Sequence, residues 1–464
     1  MDVLILHPST FRKTYGDYAE AGARSQPLGI CYIAAVLEEK NVDVEILDAD
    51  ILDLTFEQTI AEIQKKDPKI LMISILTATY DAVIELATAL KKIRPLMKII
   101  IGGPHLTIDP DDTIKNSCFD AGVMGEAEYT TLELVQNFLT GKDISQIQGI
   151  IYVKDGVVVT TPSRAPIKDL DTLPMPAYHL LPAVDLYSPQ IHSYRFKPVL
   201  GMITSRGCPY RCIFCDQGVF GKQFRFISGK KIVDQIEEAQ KKYGIREVTF
   251  FDDIFTLKKD RVYELCDELE KRNVTISWNC ITRADHLDRE LLRRMKKAGC
   301  WLIAMGIESG NQEILNLIKK DISLQKIREM TTIAYEEGVK VRGFFQIGHP
   351  KETEQTIEQT LAFAKSLKLY SAEFAISTPF KGTELYDVAQ QYGTFDTSDK
   401  SKFSKWFPVF VPHGLTRDYL LKKQKELHRR YYFRFGKIVE FVSLVRQPSD
   451  FKRYWSGAKL LLKT

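Results

Sequence analysis

A chain of 464 residues is too long for one ordinary core and sets an expectation of two or three domains. Its 44% apolar and 27% charged residues describe a globular protein; a net charge of +4 over that length is weak evidence for a nucleic-acid partner, and with no RRM, KH or zinc-finger pattern none is expected. The N-terminus, MDVLILHPSTFRK, has no basic leader or cleavage site, and no run nears the roughly 18 apolar residues that cross a bilayer, so a cytoplasmic protein with reduced thiols is expected.

The first 142 residues alternate short apolar runs with helical patterns, as a parallel α/β sheet does. The runs are 2–8, 42–50, 69–76, 97–103 and 120–125, which predict five strands in a flavodoxin-like, Rossmann-type sheet with ligands at its carboxyl edge. Residues 147–162 read as a hairpin turning at Asp155-Gly156, and a connector with Pro166, Pro174, Pro176 and Pro182 follows; together they form a linker over 143–195.

A second α/β series occupies 196–410, with strand-like runs at 199–205, 247–253, 275–283, 301–309, 339–348 and 371–379. Six successive units predict a partial barrel with its functional residues at the strand C-termini. Residues 411–464 form a basic, aromatic extension, read either as a helical cap on the barrel or as an amphipathic segment meeting a membrane surface or an amphiphilic substrate.

Of eight cysteines, Cys31, Cys118, Cys266, Cys280 and Cys300 are scattered singly through apolar segments, as small buried hydrophobes are. Cys208, Cys212 and Cys215 crowd into GCPYRCIFC, after the first strand of the second series. Three thiolates hold three irons of a [4Fe–4S] cube and leave the fourth open. Structural zinc lacks a fourth ligand at a usual spacing; catalytic zinc and inert thiols are the remaining alternatives. There is no dinucleotide fingerprint, P-loop or nucleophile elbow.

The CxxxCxxC spacing, with Phe214 before the last cysteine, resembles the signature of the radical S-adenosylmethionine (SAM) superfamily, over about residues 195–385. The resemblance implies a [4Fe–4S] cluster whose open iron chelates SAM. It further implies SAM contacts at Phe214, at Asp252 and Asp253 ending EVTFFDD, and at Arg283. Glu308 and Ser309 of GIES, and Gln346 and Gly348 of GFFQIGHP, complete that set. Ser377, Thr378 and Phe380 are expected to touch substrate.

A Rossmann-like domain ahead of such a barrel resembles the cobalamin (B12)-binding subclass, which includes class B methyltransferases and the anaerobic cyclase of bacteriochlorophyll synthesis. Ser74-Ile75-Leu76 and Gly102-Gly103, with 25 residues between Leu76 and Gly102, match the Ser-x-Leu and Gly-Gly of cobalamin domains. The resemblance implies cobalamin contacts at Ser74, Leu76, Thr77, Gly102, Gly103, Pro104, Gly125 and Glu126. The Asp-x-His-x-x-Gly motif that supplies an axial histidine elsewhere is missing, so neither His7 nor His105 is assigned to cobalt; a sheet kept only as a scaffold is the alternative. The implied activity is methylation of an unactivated carbon, or else oxidative cyclisation or C–C bond formation on a tetrapyrrole or lipid-like substrate. A corrinoid or iron–sulfur sensor is a remote third reading. The implied partners are a small-molecule or lipid-like substrate and an external donor such as flavodoxin or ferredoxin, with peripheral membrane contact through the tail.

Overall fold

A computed structural model describes residues 1–9, 24–190 and 192–444. Most of the loop after the first strand and the end of the basic tail, 445–464, lie outside the described residues, with the sequence readings that fall on them.

Strands β1 (Val3–His7), β2 (Val44–Asp48), β3 (Ile70–Ser74), β4 (Lys98–Gly102) and β5 (Ala121–Val123) form a parallel sheet in the order β2-β1-β3-β4-β5. Continuous apolar runs suit it because both faces are covered. Val3 and Ile5 pack toward the helices Leu28–Glu39 and Glu128–Thr140, whereas Leu4 and Leu6 pack toward Phe56–Lys66 and Tyr80–Ile93. The hairpin that the sequence groups with the linker is instead part of this sheet. Its strands, β6 (Ile150–Lys154) and β7 (Val157–Thr160), continue from β5 in antiparallel pairing. Asp155 and Gly156 both take positive φ, as a type I′ turn requires.

The second sheet holds β8 (Val199–Met202), β11 (Glu247–Phe250), β12 (Ser277–Thr282), β13 (Cys300–Glu308), β14 (Lys340–Ile347) and β15 (Ser371–Ile376), parallel and in chain order. Two short strands, β9 (Ser205–Arg206) and β10 (Arg225–Phe226), clip the base of the cysteine loop, and a last pair, β16 (Gly393–Phe395) and β17 (Phe410–Pro412), lies beyond the barrel. The five scattered cysteines are buried.

Because the barrel is open, β8 and β15 each have a free edge whose backbone groups need partners. Gln26 covers β8 like a short strand: its amide donates to Val199 O at 3.0 Å and accepts from Gly201 N at 3.1 Å. Tyr178, in the proline-rich connector, donates to Gly201 O at 2.7 Å. On β15, the helix Arg417–Tyr432 supplies Gln424 to Phe374 O, His428 as acceptor for Phe374 N, and Tyr432 to both polar groups of Ala372. This part of the C-terminal extension is therefore a cap. Among the described residues, no helix is long and apolar enough to cross a membrane.

Gln26→Leu should leave two buried backbone groups unpaired and Gln424→Leu one, Phe374 O, each at a cost of about 1–3 kcal/mol. A lower midpoint of urea denaturation is the expected reading; an unchanged midpoint would show that the edges are stable without these side chains.

Candidate functional site

The loop 207–224 is fixed largely by bonds to its backbone, and of its thiols Cys215 makes one long bond, to Asp216 O at 3.8 Å. Gly207 has φ +84°, and a Cβ there would lie 2.2 Å from Gln223 O, so only glycine serves. Gln217 donates to Cys208 O at 2.7 Å and Tyr210 O at 2.8 Å; Ile213 N donates to Ile318 O at 3.1 Å. Cys208 and Cys212 are half-buried and Cys215 is exposed at the residue level, with no disulfide. Burial raises all three thiols, Cys215 to about 12, so a strong cation must stabilise their ionised form. Among the described residues no three His, Cys, Asp or Glu converge on one ion position. A four-iron cube asks something else, one thiolate per iron.

The strand ends around this loop divide by role. Asp253 and Arg283 are close enough to bias Cys208, and Arg283, Glu308 and Lys320 to bias Cys212. Arg283 lies 3.7 Å over the Tyr210 ring and is held by Asp285 at 2.9 Å, while its Nη1 is buried without a partner. Glu308, at φ +66° beside an irregularity in the β13–β14 pairing, accepts from Lys320 Nζ at 2.8 Å and Gln346 Nε2 at 3.1 Å. Phe214, Glu308, Gln346, Thr378 and Phe380 line one cavity of about 310 Å³ with Phe344, Glu373 and Lys405.

Three residues from the sequence reading face elsewhere. Asp252 is fully buried; its carboxylate accepts from Thr204 N at 2.5 Å, Ser205 N at 3.1 Å and Arg261 Nη2 at 2.9 Å, shaping the approach to the cysteine loop. Ser309 is also fully buried, paired with Thr360 Oγ1 at 3.2 Å in the turn after β13. Ser377 is buried behind the cavity wall, its N–H on Ile347 O. Gly348, at φ +86°, donates its N–H to Glu352, and the turn it makes ends β14.

Sequence reasoning missed Lys320, because lysines just after a short helix read as ordinary C-terminal charges. It also missed Glu373. Burial favours its neutral form, but Lys405 and Arg342 outweigh this and hold the carboxyl at about 2. Period-two alternation on β14 and β15 carried the only signal, placing Arg342 and Glu373 on the face that bears Phe344, Gln346 and Ala375.

At the edge of the first sheet, Gly103 has φ +96°, and a Cβ there would stand 2.7 Å from Ser74 Oγ and 3.0 Å from Ile75 N. The chain's own packing demands this glycine. Gly102 has only one ordinary contact of that kind, at 3.5 Å, and Leu76 is 50% exposed. Pro104 opens the helix Pro104–Ile108. Thr77 Oγ1 lies 3.1 Å from His105 Nδ1, and His105 Nε2 is buried without a partner, an unsatisfied polar atom in the expected cleft.

Glu126 does not offer its carboxylate to a ligand. It meets Arg206 Nη1 at 3.3 Å, pairs with Arg225 and accepts from Ile167 N at 3.1 Å, while Glu128 takes Arg206 Nη2 at 2.5 Å. All four side chains are nearly fully buried, and they tie the end of β5 to the strands that clip the cysteine loop. Cβ atoms on Gly125 and Gly218 would lie 4.0 Å from Val219 O and 3.2 Å from Ile108 Cγ2. Asp109–Lys381 at 2.6 Å and Asp112–Lys400 at 2.9 Å add two further ties. The carboxyl edge of the first sheet thus faces the cysteine loop of the second.

Arg206→Met would leave Glu126 and Glu128 short of their partner and should cost about 3–5 kcal/mol, measured by denaturation. A pH effect follows from the turn after β14. Burial outweighs two backbone bonds and raises Glu352 from 4.5 to about 8, so its contribution to stability is lost as pH rises through that interval. Burial, with Lys320 nearby, lowers His349 from 6.5 to about 3, so its contribution grows as pH rises and is complete above 6.5. From pH 6.5 to 8 His349 no longer contributes a slope and Glu352 does: stability should fall there, and Glu352→Gln should make that slope shallower, with His7, raised by Asp48 and Asp50, left to act in the same direction.

Comparison with known proteins agrees with this geometry. The radical SAM superfamily model matches residues 202–364, and the B12 binding domain model matches residues 17–135. An uncharacterized methyltransferase of Pyrococcus horikoshii is 34% identical over 416 residues, 89% of each chain. The anaerobic magnesium-protoporphyrin IX monomethyl ester cyclase of Rubrivivax gelatinosus is 29% identical over 446 residues, 93% of this chain and 77% of its own. Among solved structures, the cobalamin-dependent S-adenosylmethionine radical enzyme OxsB, with aqua-cobalamin and S-adenosylmethionine bound, superposes with a TM-score of 0.77 at 17% identity, covering 99% of this chain and 70% of that one. The radical S-adenosylmethionine methyltransferase TsrM from Kitasatospora setae, with cobalamin and a [4Fe–4S] cluster bound, gives 0.67 at 17% identity over 84% and 75%. These two likenesses speak to the fold, whereas the sequence matches carry the kinship: the chain belongs to the radical SAM superfamily, in the group that bears a B12-binding domain.

Proposed function

We propose that the protein is a cobalamin-dependent radical SAM methyltransferase acting on an unactivated carbon of a small or lipid-like biosynthetic intermediate. The observation that carries this reading is the opposition of two edges, the row of strand ends at Ser74 and Gly102 and the loop bearing Cys208, Cys212 and Cys215. A relative named as a methyltransferase, 34% identical along most of the chain, supports it.

When bound, the cluster and SAM supply a 5′-deoxyadenosyl radical that removes a hydrogen atom, and the corrinoid supplies the methyl group. The chain's own work is binding, orientation and the exclusion of water. Three thiolates hold three irons, and Asp253 and Arg283 beside them are suited to the charged amino-acid end of SAM. Glu308 and Gln346, already bonded to each other at 3.1 Å, offer polar atoms to a ribose and base, with Phe214 as an apolar wall. Phe344, Ile376 and Phe380 add apolar wall to the cavity, which the charged pair Glu373 and Lys405 also lines.

The partners on this reading are the substrate and an external one-electron donor such as flavodoxin or ferredoxin, in the cytoplasm, with no nucleic acid. Exposed Phe433, Phe435 and Val439, near Arg429, Arg430 and Arg434, support a peripheral contact with a lipid surface.

A second reading, oxidative cyclisation or C–C bond formation, is favoured by the 29% identity to the anaerobic cyclase over nearly the whole chain. Product analysis separates the two. Reconstituted enzyme should form both 5′-deoxyadenosine and S-adenosylhomocysteine, with a product heavier by one methylene. Deoxyadenosine alone, with loss of hydrogen from the substrate, would favour cyclisation. Cys212→Ala should abolish cluster assembly and SAM cleavage under either reading, and retained cleavage would overturn both.

A further inference from the structure

We infer that His7 ligates the cobalt of the bound corrinoid through Nε2, from the side of the first sheet. The inference rests on the B12-binding reading of that sheet and adds a metal ligand for which the sequence carries no motif.

The register places His7 at the right level. Leu6 pairs with Ile73 and Ser74 with Gly102, so His7, Ser74 and Gly102 end three neighbouring strands in one row. Two residues earlier, Ile5, Met72 and Ile100 all belong to one core cluster, so the side chains of His7 and Ser74 emerge on that same face. Ser74 is small and Gly102 has no side chain. The row is therefore a low shelf, with one imidazole standing at its side.

The hydrogen bonds of that imidazole are those of a metal ligand. Nδ1 lies 2.9 Å from Asp48 Oδ1. Asp48 is nearly fully buried, and its other bonds are with donors: Ile51 N at 3.1 Å on Oδ1 and the Tyr187 hydroxyl at 2.8 Å on Oδ2. Facing an ionised carboxylate already bound to two donors, Nδ1 carries the hydrogen of the neutral ring and Nε2 keeps its lone pair. No hydrogen bond to Nε2 occurs among the described residues, and the side chain is 31% exposed. A carboxylate behind one ring nitrogen fixes the tautomer, orients the ring and makes the other nitrogen a better donor, as in histidine ligands generally. Among the described residues, the charged groups that bias His7 are Asp48 and Asp50, both acidic.

His105, the other histidine at this edge, is built differently. It is 3% exposed, its Nδ1 is engaged with Thr77, and its ring meets Tyr80 edge-on at 4.8 Å. It is closed in by protein and suits a contact with a narrow part of the ligand.

The ligation adds one lone-pair bond from nitrogen to cobalt and changes no oxidation state. It is read by electron paramagnetic resonance of the full-length protein, loaded anaerobically with cobalamin and reduced to the cob(II)alamin form. Natural-abundance protein should show each high-field cobalt line split into a triplet by a ¹⁴N ligand. Protein labelled with ¹⁵N-histidine should show doublets instead. A triplet that survives labelling would mean that the corrinoid's own base is the ligand, and no splitting would mean that no nitrogen is; either result overturns the inference. His7→Gln should retain cobalamin, by its absorbance, and lose the splitting altogether. The labelled wild-type protein tells whether a histidine is the ligand, and His105→Gln, which should keep the splitting that His7→Gln loses, tells which; a splitting lost with His105→Gln and kept with His7→Gln would overturn the inference. Failure to retain cobalamin would overturn the reading beneath the inference, whereas a doublet that His7→Gln abolishes, without methyl transfer, would overturn the proposed methylation and leave His7 as the ligand.

Discussion

An open parallel barrel cannot stand with two bare edges, and much of this structure follows from closing them. A closed barrel satisfies every strand by its neighbour; six strands leave one side of β8 and one side of β15 with unpaired backbone groups. The chain meets the need with side chains. Gln26 and Tyr178 serve β8 from the first domain and the connector, and Gln424, His428 and Tyr432 serve β15 from the C-terminal helix. The same bonds that complete the barrel thereby dock the other parts against it, and one hydrophobic cluster runs from Val3 and Tyr178 to Phe374 and Tyr431 without a break.

The second constraint is electrostatic. Arg206 lies two residues before Cys208, between the rings of Tyr32 and Phe220, and both carboxylates it meets come from the end of the first sheet. Buried charges of this kind are costly to separate, so they specify a geometry more than they add stability. Here they register the sheet edge against the cysteine loop. If the two edges each hold a cofactor, this cluster sets how the cofactors face one another, and it uses Glu126 to do so.

The barrel interior is polar for a related reason. Glu247, Asn279, Arg342 and Glu373 turn inward, and each is answered: Glu247 by Trp301 and two backbone N–H groups, Asn279 by Thr249, and Glu373 by Arg342 and Lys405. A partial barrel whose mouth admits a polar cofactor need not fill its interior with apolar layers. Glu308, beside the irregularity after Gly306, also carries its charge close enough to bias Cys212.

Local order was legible in the sequence by itself. Strands buried on both faces read as continuous apolar runs, and the crowding of three cysteines into one loop after the first barrel strand is visible at once, because periodicity and spacing along the chain are short-range properties. The spacing around Ser74 and Gly102 likewise pointed to the sheet edge. What tertiary structure decided is which atoms remain available once the chain has met its own needs. Asp252, Ser309 and Glu126 have suitable side chains at suitable strand ends, yet their oxygens are bonded to groups 48, 51 and 80 residues away. Gly103 is glycine because Ser74 and Ile75 press on it. His7 is the reverse case: a lone histidine carries no signal in sequence, and only the pairing of β1 with β2 puts Asp48 behind its ring. A buried polar atom must find a partner wherever the fold supplies one, and that partner is set by topology rather than by neighbours in the chain.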